Sequence, residues 1–338
     1  MRKFIAASGV LVAGIAIVVV GLVNGLFTVA PAFENLTDGF RDTVMSDQAI
    51  AATRSDISAL SAVNIEMSEK VVPTLSAQLG MDQAAFSSFL ATNYPAVAAG
   101  TAALPGIVGE FDGVAGLIES QQANFQSADS LPTSGIPATA LPWMILGIGL
   151  VGIAVGVWMF FGRRPPAWTA VVVGVVVVAT TLSLSFIGKS AAADAMNDAF
   201  RPVYTAQLVE QSTGALQTVA AMGTEMQTGL IPGLAEALGM TVPEVQTFVG
   251  SEFPATEAAL QSLPAAMGRF QTTVGAFGAQ LDNYDTIKDT ALTPLAWTIL
   301  LGGVVMALFG ALGLFVPTRH VAERSRAETP DELVTTGS

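Results

Sequence analysis

Leu79 to Phe111 reads LGMDQAAFSSFLATNYPAVAAGTAALPGIVGEF, and Leu238 to Phe270 reads LGMTVPEVQTFVGSEFPATEAALQSLPAAMGRF. The two stretches align without a gap at an offset of 159 residues. Extended to Glu66–Phe125 against Glu225–Tyr284, the match has 18 identities in 60 columns. They fall on residues with structural meaning: Glu66-Met67 on Glu225-Met226, Pro73 on Pro232, Leu79-Gly80-Met81 on Leu238-Gly239-Met240, Pro95-Ala96 on Pro254-Ala255, Leu104-Pro105 on Leu263-Pro264 and Phe111 on Phe270. Upstream, Asp38-Gly39-Phe40-Arg41 matches Asp198-Ala199-Phe200-Arg201 at an offset of 160. The period is far longer than a solenoid repeat, so the sequence reads as a duplicated domain.

Each copy is flanked by apolar runs. Phe4 to Ala30, Leu141 to Phe161, Ala167 to Ile187 and Pro294 to Val316 contain no Asp, Glu, Lys or Arg. Each is long enough to cross a bilayer, which takes roughly 20 residues. The expected plan is therefore an all-α integral membrane protein with four spans, 4–30, 141–162, 167–187 and 294–317. A short turn (163–166) joins two parallel copies about a pseudo-twofold axis, and a disordered tail (318–338) contains the single histidine, His320. The helical segments 31–140 and 188–293 form two domains outside the membrane.

Charge sets the expected orientation. Arg2 and Lys3, Arg163 and Arg164, and Arg319, Arg324 and Arg326 lie in three short segments, whereas 31–140 carries a net charge of −9 and 188–293 one of −7. Basic residues stay on the cytoplasmic side, so both termini are expected there and the acidic segments outside. A rival reading makes the first run a secretory signal ending at Ala30-Pro31-Ala32; at about 27 residues it is much longer than a signal core, and a retained anchor is preferred. Ten Arg against four Lys, with abundant Ala, Gly and Val, point to a high-GC bacterium and hence to its cytoplasmic membrane.

Composition excludes several function classes. Of 338 residues, 51% are hydrophobic and 12% charged, the net charge is −13, and cysteine is absent. Nucleic acid is not an expected partner of so acidic a chain, and neither a thiolate nucleophile nor a histidine-based metal site can be assembled. No cofactor, metal or catalytic residue is expected.

In the outer segments, Phe33, Leu36, Phe40, Val44, Ile57, Leu60, Met67 and Val71 recur at helical spacings. One long helix is expected to leave the membrane past Pro31. Gly80 and Gly239 read as left-handed helix ends, Thr241 with Glu244 as a capping box and Asp82 as a simpler cap. Pro95, Pro105, Pro254 and Pro264 are expected to open new helices, the last of them in the first copy covering about Gly106 to Phe125. Glu66 and Glu225 could form a carboxylate pair across the pseudo-twofold, although a helix-surface role is favoured. Arg41 and Arg201, three residues after Asp38 and Asp198, read as intrahelical ion pairs or as lipid-headgroup ligands. Gly21 with Gly25, and Gly152 with Gly156, have the small-xxx-small spacing of close helix packing in lipid. Trp143, Trp168 and Trp297 mark span ends.

Two functions follow from this reading. The first is a non-catalytic envelope scaffold or partner subunit acting on a membrane or envelope protein, with the bilayer as its other partner. The second is a binder, or transporter subunit, for a lipid or another hydrophobic molecule. The plan of two large helical segments between membrane helices resembles that of the prominin and tweety proteins. Those typically have five spans and cysteine-bearing ectodomains, so the likeness is one of plan and carries over no residue roles.

Overall fold

The computed structural model describes residues 2–131, 133, 135–161 and 165–315. Their regular structure is helical apart from one isolated bridge, Thr133 to Ile136. Arg163, Arg164, His320 and the tail expected to be disordered lie outside the described residues. The helices divide between two compact units, one built from 1–31, 130–191 and 290–338 as far as these are described, the other from 32–129 and 192–289.

In the first unit α1 (Arg2–Val23), α7 (Leu141–Phe160), α8 (Pro165–Ser183) and α14 (Leu292–Leu314) pack together. Each is long and apolar enough to cross a membrane, as is α6 (Pro95–Asp129) of the other unit. The first and third apolar runs were expected to be unbroken over 4–30 and 167–187. Instead α1 stops at Val23 and α8 at Ser183. The chain then turns through left-handed residues, Gly25 (φ +61°) and Ser185 (φ +51°), before α2 (Leu26–Arg41) and α9 (Phe186–Phe200) begin. Hydropathy hides these breaks because both sides are apolar. The helix does run past Pro31, which lies inside α2, but the one long helix expected to leave the membrane is interrupted at Gly25 and ends at Arg41. Gly25 and Ser185 are 160 residues apart, and only the glycine suits that conformation, which costs an L-residue roughly 1–2 kcal/mol. Ser185→Gly is therefore expected to raise stability by about 1 kcal/mol; a melting temperature in detergent no higher than that of the parent would contradict this.

The second unit is a helical pack with one core. Its first segment supplies α3 (Asp47–Glu66), α4 (Val72–Gln78), α5 (Gln83–Asn93) and α6. The other supplies α10 (Ala206–Glu225), α11 (Ile231–Leu238), α12 (Val242–Glu252) and α13 (Pro254–Ile287). Corresponding elements begin at positions 159 residues apart. Five-residue π-turns, Met67–Val71 and Met226–Leu230, join α3 to α4 and α10 to α11. Pro73 and Pro232 follow immediately, where a helix would otherwise need the missing N–H and collide with the ring; the widened turn accommodates each proline. Gly80 and Gly239 both sit at φ +66° after α4 and α11. Asp82 Oδ1 accepts from Ala85 N at 2.7 Å, and Thr241 N donates to Glu244 Oε2 at 2.7 Å, a cap that lowers the pKa of the Glu244 carboxyl.

Pro105 and Pro264 do not open helices. They lie inside α6 and α13, which continue through them as 35- and 34-residue helices, so the separate helix expected over Gly106 to Phe125 is only part of α6. Tertiary packing overrides the local breaker: Leu104 and Ile107 on either side of Pro105 are buried in the core, as are Ala266 and Met267 just after Pro264.

Candidate functional site

The core of the second unit draws equally on both segments. Phe86, Leu90, Val97, Leu104 and Phe111 pack in one cluster with Met222, Val245, Phe253 and Phe270. Phe111 and Phe270, equivalent at the offset of 159, stack with ring centroids 5.1 Å apart. The segments 31–140 and 188–293 were expected as two domains, with their packing against each other left open; in the structure their helices close a single core.

Glu66 and Glu225 hold this arrangement together. Each ends a helix just before its π-turn. Glu66 is buried, and its Oε2 accepts from Thr256 N at 2.6 Å and from Thr256 Oγ1 at 2.8 Å. Glu225 Oε2 accepts from Val97 N at 2.7 Å. Thr256 and Val97 are the third residues of α13 and α6, whose first amides have no intrahelical partner. Each glutamate thus caps the long helix of the other segment, where a carboxylate also meets the positive end of the helix dipole. They are not simple helix-surface residues: both are engaged by backbone donors. Their partners lie 190 and 128 residues away, beyond any local pattern.

Arginines close the ends of the segments. Arg41 bonds Asp129 through Nε at 2.9 Å and Nη2 at 2.7 Å, and reaches Asp38 at 2.8 Å; the hydrogen bond to Asp129 pushes its pKa up. Arg201 was expected to pair with Asp198. It instead bonds Asp289 at 2.9 Å and the Lys288 carbonyl, because the end of α13 supplies both acceptors. Asp129 and Asp289 stand at the same offset, 160, as the arginines, so one tether recurs in both segments.

Elsewhere the segments differ. Arg269 forms a two-point pair with buried Asp56, at 2.6 and 2.7 Å. Glu110 and Ala215 stand at the equivalent positions, and Glu110 Oε1 is buried without a hydrogen-bond partner among the described residues. Tyr204 donates to the Phe277 carbonyl and Tyr284 to the Asn197 carbonyl. Burial raises the Tyr204 pKa and takes that of Tyr284 to about 12, away from neutrality. Among the described residues there is no group of three or more His, Cys, Asp or Glu that could hold a metal.

In the first unit glycines set the helix spacing. A methyl at Gly14 would stand 2.6 Å from Ile153 N and 2.8 Å from Gly149 O; Gly174 is hemmed in likewise by Ala307 N and Gly303 O. Gly156 lies against Leu11 N, and Gly310 against Val171 N, at 2.7 and 2.8 Å from such a methyl. These are two copies of one seam, α1 on α7 and α8 on α14. Gly152 also belongs to it, against Gly14 and Met306, and Gly21 faces Ile145. Gly25 does not pack helices: it forms the turn after α1, and a methyl there would meet only Thr28 Oγ1 at 3.4 Å. Spacing within one helix missed Gly14 and Gly174 because their complements lie on another helix.

Between α7 and α8 lies a groove of about 540 Å³, lined almost wholly by apolar side chains, Ile299 of α14 among them. No protein-family model matches the chain, and no curated protein matches it.

Proposed function

We propose that the chain is a duplicated, multi-pass protein of a bacterial cytoplasmic membrane, in which α1, α7, α8 and α14 are the spans. The second unit stands outside the bilayer as a non-catalytic scaffold for a membrane or envelope partner. The observation that carries the scaffold reading is the reciprocal capping by Glu66 and Glu225, which spends the chain's most suggestive carboxylates on rigidity and fuses both segments into one platform.

The membrane reading rests on what the four helices expose. Val12, Leu22, Val151, Val172, Leu301 and Leu308 all present more than two fifths of their surface, and Trp143, Trp168 and Trp297 are exposed near helix ends. Patches of that extent are unusual in water and ordinary in lipid. The fifth apolar helix, α6, is a different case. Its apolar stripe is used in the core of the second unit, and it carries Asp112 and Glu119, both bonded to Arg54. The duplication reading is supported by the paired π-turns, paired tethers and paired glycine seams.

Because the chain has no cysteine, single-cysteine labelling tests the topology directly. Ser87→Cys and Gln246→Cys are expected to react with an impermeant maleimide in intact cells, and Ser325→Cys only after permeabilisation. Labelling of Ser87→Cys and Gln246→Cys on opposite sides of the membrane would overturn the parallel arrangement. Purification in mild detergent with identification of a stable protein partner tests the scaffold role. The groove between α7 and α8 favours a second reading, the binding of a lipid or another hydrophobic molecule.

A further inference from the structure

We infer that the groove between α7 and α8 is a binding site for one acyl chain of a bilayer lipid. This rests on the reading of these helices as membrane spans. The two copies are related by 160 residues in the first and third spans and, across the shorter second linker, by 154 in the second and fourth. Two seams between the copies should then be alike, α1 with α14 and α8 with α7. They are not.

The α1–α14 seam is closed by small residues. Gly9 sits against the Phe309 ring, and a methyl at Gly302 would stand 2.6 Å from Ile17 Cδ1. At the α7–α8 seam the residue equivalent to Gly302 is Ile148, and Val173 replaces Ala13. Both line the groove. At this seam Ile148 and Val173 stand where the α1–α14 seam has Gly302 and Ala13, so the opening is written into the side chains of one seam and is not a general property of the repeat.

Three features fit an acyl chain rather than a polar ligand or a second protein. The lining is apolar apart from the Trp143 indole N–H and the hydroxyls of Thr180 and Thr181, and Thr181 Oγ1 is already bonded to the Val177 carbonyl. From Leu141 to Val151 the groove follows ten residues of helix, about 15 Å at the helical rise, or half the roughly 30 Å of a bilayer's hydrocarbon. That is the depth of one leaflet. It occupies the end of the spans where Trp143 stands exposed, the place of an interfacial residue beside a headgroup. On the span reading the groove faces lipid along its open side, so its occupant is already at hand.

Gly147 offers a clean test, because it lines the groove and a Cβ added there meets nothing within 4 Å. Full-length protein would be reconstituted into dioleoyl phosphatidylcholine vesicles, re-extracted in mild detergent and weighed by native mass spectrometry. The parent chain is expected to retain one lipid. Gly147→Phe is expected to retain at least fivefold less, and Leu308→Phe, on an exposed face of α14, as much as the parent. Retention of no lipid by the parent, equal retention by Gly147→Phe, or equal loss in Leu308→Phe would overturn the site. If the chain washes off membranes in alkaline carbonate, the span reading itself fails. Membrane-resident protein with unaltered lipid retention in Gly147→Phe sinks the groove alone.

Discussion

Glu66→Ala is expected to lower the unfolding free energy by about 2–4 kcal/mol, a typical cost for losing charge-assisted hydrogen bonds and leaving a buried donor unpaired. Thr256 is itself buried, so neither its amide nor its hydroxyl can turn to water without opening the helix end. Glu66→Gln keeps an acceptor of the same shape and is expected to lose about half as much. Glu225→Ala, which removes a single bond to Val97 N, should fall between the two. Denaturant or thermal unfolding in detergent measures all three. A Glu66→Ala protein as stable as its parent would show that the cap contributes nothing.

Gly14→Leu and Gly174→Leu are expected to be as damaging, by about 3 kcal/mol each, at the upper end of the usual cost of overpacking. A side chain at either position meets backbone of the facing helix, which cannot rotate away as a side-chain tip can. In lipid the association of helices depends on this close contact, since burying apolar surface gains little there. The two variants should therefore behave alike, whereas Gly188→Leu, where an added Cβ meets nothing within 4 Å, should be tolerated. Melting temperature and the yield of monodisperse protein report the difference. Equal stability of Gly14→Leu and Gly188→Leu would refute the seam.

What the sequence made legible follows from how far each signal travels along the chain. Charge-free runs, the offset of 159 and the caps at Gly80, Gly239 and Thr241-Glu244 are written within a few residues, or repeated outright. The break at Gly25 and Ser185 was hidden because hydropathy does not change across it. Pro105 and Pro264 misled because buried neighbours hold α6 and α13 together where local rules would end them. The role of Glu66 and Glu225 needed contacts across more than a hundred residues. The repeat did flag these glutamates, and Pro95 and Pro254 at the helix starts they cap, as matched between copies; it did not say that each would reach into the other.

While a ribosome is still adding the second half of this protein, the start of α6 waits for Glu225, made 128 residues after the amide it will satisfy. The first half must pass through synthesis with that helix end open and half of its core missing. Only when the later half arrives are both long helices capped and the shared core closed.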